Sequence, residues 1–239
     1  MKGTDSTIRT PGIFSFLTQN ERDVIRLHLL FSLVCIPVLL APMTVAPGVR
    51  MLVLVVTYNL AVPFWGRRRG YDDWIDVWGF AFILSLFQVF PDWFLSAQLD
   101  ILVFPEDGLF KIGTVAGYMA GLWTIPIFLI VYTGRRVRAR FSRPGAYWAV
   151  GTASLLLFGG SEQTLWMLSS WVAQNVIMVG HIAVYILVPE IILGLSSFYC
   201  FQQIEKKPHW LKIPGTFLVM QLYLGSAAFF YFLIERILF

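Results

Sequence analysis

Apolar residues in this chain come in long runs rather than in alternation. A helix crossing a bilayer needs about 20 mostly apolar residues, and seven stretches approach that. They cover 27–43, 49–65, 74–94, 112–132, 145–158, 176–201 and 213–233. The pattern predicts an all-α, polytopic protein with seven transmembrane helices. Residues 27–239 form one membrane domain behind a polar segment at 1–26, with an outer loop at 91–111. Ala46–Pro47–Gly48 is a tight turn signal, so the first two spans pair as a helical hairpin. The first long apolar run begins only at Leu27, which predicts no cleaved signal peptide.

Composition agrees with the pattern. Of 239 residues, 57% are hydrophobic and 13% charged, against about 45–50% and about 25% in soluble domains. This excludes a soluble globule, a disordered chain and a nucleic-acid module. The net charge is +4, and its placement matters more than its size. With the N-terminus inside and the spans alternating, 15 of the 18 Lys and Arg residues fall on the cytoplasmic side. Only Arg50, Lys111 and Arg236 fall outside. Basic residues gather in cytoplasmic loops, so the N-terminus is expected inside and the C-terminus on the opposite face. The expected location is an inner membrane in a bacterium, or an endomembrane elsewhere. Cys35 and Cys200 sit singly in apolar runs and read as small buried hydrophobes. No metal-binding or phosphate-cradling motif is present in the sequence.

Against this background Glu190 stands out, because an ionisable residue inside hydrocarbon is costly and needs a reason. It follows Pro189 in the sixth span and is the one carboxylate placed near mid-membrane. In apolar surroundings a carboxyl keeps its proton and can donate it. Pro189 is expected to break the helix and leave the Tyr185 carbonyl without its donor. His181 lies nine residues earlier, nearer the outer face, as a second candidate acid or base. Asp92 closes the third span one turn after Gln88, on the same helix face. Asn59 and Gln88 are in-span amides that suit interhelical hydrogen bonding or substrate contact. Aromatic residues make up 16% of the chain. Of these, Tyr118, Trp123 and Tyr185 lie within spans and can face a carbocation. The segment 91–111 is half apolar and holds four acids, so it reads as a surface-lying loop or lid. The segment 159–175, with Trp166 and Trp171 among Ser and Gln, reads as an interfacial connection.

The fourth and sixth spans echo one another. Tyr118-MAGLW-Thr124-Ile-Pro126 stands beside His181-IAVY-Ile186-Leu-Val-Pro189-Glu190, each an aromatic turn, then a proline and an apolar run. Val188–Pro189–Glu190 resembles the acid motif of integral-membrane carotenoid and terpene cyclases. That group comprises heterodimer-type lycopene cyclases, carotenoid hydratases and fungal meroterpenoid cyclases. The matching place in the fourth span, Ile125–Pro126–Ile127–Phe128, carries no acid. The resemblance implies a small helical membrane enzyme acting on an isoprenoid lipid by proton-initiated cyclisation or hydration, with no cofactor. Glu190 would be the proton donor, Asp92 and His181 supporting groups. Tyr185, Tyr118, Trp123, Asn59 and Gln88 would contact substrate. Two other functions fit the same sequence. One is a non-catalytic subunit or assembly factor with a membrane-protein partner or a second copy of itself. The other is a small-solute transporter using Pro126 and Pro189 as paired helix breaks.

Overall fold

The computed structural model describes residues 17–40, 44–168 and 170–238. The sequence calls at Lys2, Arg9, Pro42 and Met43 lie outside them. Seven long helices run α1 Gln19–Leu40, α2 Pro47–Arg69, α3 Asp72–Trp93, α5 Thr124–Arg140, α6 Arg143–Leu165, α7 Leu187–Ile204 and α8 Lys212–Phe232. A single turn, α4 Met119–Leu122, precedes α5. Three two-residue antiparallel ladders complete the fold. They join β1 Leu102–Val103 to β4 Val172–Ala173, β2 Lys111–Ile112 to β3 Val115–Ala116, and β5 Met178–Val179 to β6 Ile182–Ala183.

Five helical segments are long and apolar enough to cross a membrane: Gln19–Leu40, Pro47–Arg69, Asp72–Gln98, Val184–Ile204 and His209–Leu238. Their outward faces carry exposed Leu29, Leu33, Leu60, Phe64, Leu218 and Phe229. A lipid solvent suits that surface and water does not, and the chain is a membrane protein. The remaining two long helices, α5 and α6, pack against each other and against α7. The core runs along α3, whose Trp74, Val77, Phe80, Ala81 and Leu84 are all fully buried. α3 touches α2, α5 and α8, so it is the post around which the bundle closes.

Local chemistry sets the helix ends. Gly70 adopts φ 70°, the left-handed geometry that caps a helix C-terminus. Arg67, Arg68 and Arg69 fill the last turn before it, and Asp72 and Asp73 open α3 just after. Both placements favour the helix dipoles. At the same end of the bundle, Arg135 links Asp73 (3.6 Å) to Glu205 (3.1 Å). Arg136 also pairs with Asp73, Arg140 pairs with Glu21, and Lys212 meets Asp76 at 2.9 Å. The starts of α1, α3 and α8 are thereby tied to the ends of α5 and α7.

The opposite end departs from expectation. The fourth and sixth spans are not helical throughout. Residues 111–116 and 178–183 form β-hairpins, and helix resumes only afterwards. Consequently Pro126 and Pro189 are not helix breaks. Each is the third residue of its helix, α5 and α7, where a missing N–H has no intrahelical partner to lose. Glu190 follows as the fourth residue of α7, in its first turn rather than at mid-helix. The segment 91–111 is not a free lid either. It continues α3 through Trp93, adds a π-helical turn at Phe94–Gln98, and then pairs through β1 with β4.

These corrections expose a repeat that the proline echo misaligned. Lys111-Ile-Gly-Thr-Val-Ala-Gly-Tyr118 matches Met178-Val-Gly-His-Ile-Ala-Val-Tyr185. The two hairpins have the same register, Lys111↔Ala116 and Ile112↔Val115 against Met178↔Ala183 and Val179↔Ile182. Both turn on a glycine at positive φ, Gly113 at 64° and Gly180 at 65°, as a two-residue hairpin loop requires. Each hairpin follows a long helix ending in a carboxylate, Asp92 on α3 and Glu162 on α6, and leads into a proline-bearing helix. Between the two halves, β1 and β4 pair antiparallel, and an antiparallel pair has a local two-fold axis.

Candidate functional site

A cavity of about 270 Å³ lies beneath the β1–β4 ladder, between the two halves and the helices α1 and α2. Leu102, Phe104 and Ala173 close it on the ladder side. Phe31, Cys35 and Leu39, successive turns of one face of α1, form the wall nearest the lipid-facing surface. The lining is overwhelmingly apolar, yet three carboxyls face it: Asp92, Glu162 and Glu190. Among the described residues, no Lys, Arg or His forms an ion pair with any of them. Carboxyls placed in an apolar environment with no cation keep their protons rather than ionise.

Two of the acids are held by indoles. Trp123 Nε1 donates to Asp92 Oδ2 at 3.0 Å, and Trp171 Nε1 donates to Glu162 Oε1 at 2.8 Å. Each bond fixes one oxygen and leaves the other toward the cavity. Glu190 differs. The residue is 3% exposed, and its Oε2 is buried with no hydrogen-bond partner among the described residues. Glu190 and Glu162 are electrostatic neighbours. Tyr185 and Tyr223 complete the polar lining. Tyr223 and Phe158 stand against Trp123 with ring centroids 5.9 and 5.5 Å away, so the acids face aromatic walls.

Of the eight residues singled out in the sequence, Glu190, Asp92, Tyr185 and Trp123 line this cavity together. Three others stand behind its wall. Tyr118 donates to the Ser170 carbonyl at 2.9 Å. Asn59 donates to the Val55 and Gly121 carbonyls and accepts from Trp78 Nε1. All of its amide atoms are thus used in packing, which leaves none for a substrate. Gln88 is fully buried one turn along α3 from Asp92. His181 is removed from the site. It occupies the exposed turn of the β5–β6 hairpin, where its ring stacks on Trp166 at 3.9 Å. The reason is local: residues 178–183 turn back as a hairpin, so His181 never enters a spanning helix.

The sequence reading missed Glu162, Trp171 and Tyr223. Glu162 was assigned to an interfacial connection because the fifth apolar run stops near Phe158, whereas α6 continues to Leu165. The signal that finds it is the repeat: Glu162 stands in the second half where Asp92 stands in the first.

Fold and cavity together define a helical membrane protein with a largely apolar internal pocket. Residues 89–234 match the family described as "Domain of unknown function (DUF6989)", and the chain belongs to that family. The matched region contains all three cavity acids, while α1 and α2 lie before it. Neither the curated proteins nor the solved structures give a match to the chain.

Proposed function

We propose that this chain is a membrane enzyme acting on an isoprenoid or other polyene lipid, with Glu190 as the proton donor. In this reading the seven long helices all cross the bilayer. The N-terminus is cytoplasmic, the C-terminus lies on the other face, and the ion-paired end of the bundle faces the cytoplasm. The observation that carries the proposal is the cavity: three carboxyls without a cation, walled by Trp123, Tyr185 and Tyr223. Such a site supplies acid strength and aromatic faces and little else.

The chemistry follows from those parts. The Glu190 O–H proton passes to one carbon of an alkene, or to the oxygen of an epoxide. The alkene π pair forms the new C–H bond and leaves a carbocation on the adjacent carbon. The ring faces stabilise that cation without offering it a lone pair for capture. Attack by a second alkene of the same chain closes a ring. A proton then leaves the carbon beside the final cation and returns to the Glu190 carboxylate. The net change is an isomerisation. If water adds to the cation instead, its surplus proton returns to the same carboxylate and the net change is hydration. No redox partner or cofactor is needed for either course.

Access from the bilayer is supported by a groove of about 290 Å³ between α1 and α2. It shares Phe31 with the cavity, and Leu27, Leu30 and Val34 line its apolar length. In this reading a polyene enters along the groove and passes Phe31, the residue that lines both spaces.

The test is turnover by purified protein in lipid nanodiscs offered polyprenyl alkenes and epoxides, with products separated by mass and retention. Glu190→Gln removes the donor while keeping size, and turnover should fall by about 10²–10⁴-fold. Unchanged turnover in that variant would sink the assignment.

A further inference from the structure

Below the acids runs a row of polar side chains for which the packing offers no protein partner. Ser85 and Gln88 on α3, Thr124 at the start of α5 and Ser197 on α7 are each fully buried. Ser85 Oγ, both amide atoms of Gln88, Thr124 Oγ1 and Ser197 Oγ have no hydrogen-bond partner among the described residues. Buried polar atoms are nearly always paired, so five orphans in one region call for an explanation.

Their placement supplies it. α3 and α7 run antiparallel. The first turn of α3 and the end of α7 share Arg135 through Asp73 and Glu205, while Asp92 and Glu190 share the cavity at the other end. Phe80 and Phe201 meet edge to face at 5.4 Å and set the register. Counting toward the cavity from that contact brings Ser85 level with Ser197, Gln88 level with Gly194, and Asp92 level with Glu190. Ser85, Gln88 and Asp92 lie on one face of α3, three and seven residues apart. Glu190, Gly194 and Ser197 do the same on α7. Thr124 follows Trp123, whose indole already holds Asp92. On α3 alone, Ser85, Gln88 and Asp92 span about 10 Å beneath the cavity floor, by helix rise, with Thr124 and Ser197 contributed by the neighbouring helices.

We propose that Ser85, Gln88, Thr124 and Ser197 hold a short file of buried water that exchanges protons with Asp92 and Glu190. Buried water bound by about three hydrogen bonds satisfies such groups, and hydroxyl and amide side chains at one-turn spacing can relay its protons. Its purpose rests on the function proposed above. The donor must hold a proton at the start of each turnover, and the file, rather than the greasy cavity, keeps it in exchange with solvent protons.

The experiment reads the file without turnover. Unsubstituted protein in nanodiscs is moved from H₂O to D₂O, and the infrared carbonyl stretch of its protonated carboxyls is followed in time. Bands lost in Asp92→Asn and in Glu190→Gln assign the two acids. Gln88→Leu and the double variant Ser85→Ala/Ser197→Ala should slow the deuterium shift of those bands at least tenfold. Exchange at the unsubstituted rate in both, in protein that melts normally, would overturn the proposal, because protons would then arrive through the cavity. An experimental density map adds a check that needs no variant: a dry, closed gap between Ser85, Gln88 and Ser197 would also overturn it. Failure of the enzymatic reading is separate. It would appear as unchanged polyene turnover in Glu190→Gln, whatever the exchange rates.

Discussion

Replacing Glu190 by Met should make the protein more stable while removing its activity. The carboxyl lies buried in the first turn of α7 with Oε2 unpaired. Leaving such a group without a partner costs about 1–3 kcal/mol. Met is close to Glu in length and shape, and a swap of matched volume costs under about 1.5 kcal/mol. The balance is a gain of up to about 2 kcal/mol. At roughly 2–4 °C per kcal/mol for a chain of this size, the melting temperature should rise, by up to about 8 °C. Glu162→Met is the control of opposite sign. It removes the acceptor of the 2.8 Å bond from Trp171 Nε1 and strands that indole in the cavity wall. Its melting temperature should fall by a similar amount. Intrinsic fluorescence of the nine tryptophans during heating in nanodiscs reads both variants. A Glu190→Met protein that loses as much stability as Glu162→Met would refute the reasoning. Glu190 would then be a structural carboxyl with a partner, and its claim to be a proton donor would go with that result.

Other variants test the surrounding framework. Asn59→Leu strands the Trp78 indole N–H and the Gly121 carbonyl, so chemical denaturation should show a loss of about 1–3 kcal/mol with kcat unaltered. Asp76→Asn leaves Lys212, which is 6% exposed, without its 2.9 Å partner. Because Asp76 is partly solvated, the loss in the same assay should be about 1–3 kcal/mol rather than the full cost of breaking a buried pair. Phe31→Trp thickens the wall shared by groove and cavity, and should raise KM for a long polyene several-fold at constant kcat. His181→Ala, on the exposed hairpin turn, should leave both constants where they are.

Much of the fold was legible because lipid demands long apolar runs and leaves few alternatives. α1, α2, α3 and α8 fall where such runs do, and Pro47, in the Ala46–Pro47–Gly48 turn signal, opens α2. The hairpins were not legible for a physical reason. Ile112, Val115, Val179 and Ile182 are apolar and β-branched, and a short apolar strand beside a helix reads as more helix. That merger moved Glu190 to mid-span and turned two first-turn prolines into breaks. It also placed His181 within the bilayer. Glu190, Asp92, Trp123 and Tyr185 were found because charge and aromatic density mark them without help from geometry. Glu162 was hidden by Gly159, Gly160 and Ser161 before it, which resemble the end of a span but are carried through by α6 to Leu165. Tyr223 offered no signal, since a tyrosine in a long apolar helix looks like packing.

The antiparallel β1–β4 pair has a consequence for how this cavity can change. Two like halves meeting across a two-fold axis could be made by a symmetric dimer of half-length chains, but then every substitution would appear twice. On one chain each half mutates alone. The first half has kept a single acid clasped by Trp123. The second has both Glu162, clasped by Trp171, and an unclasped Glu190 at the position where, counted from the shared tyrosine, the first half carries Trp123 itself. Holding both halves on one chain is what allows a lopsided pocket, with an unclasped carboxyl on one side and an aromatic wall on the other.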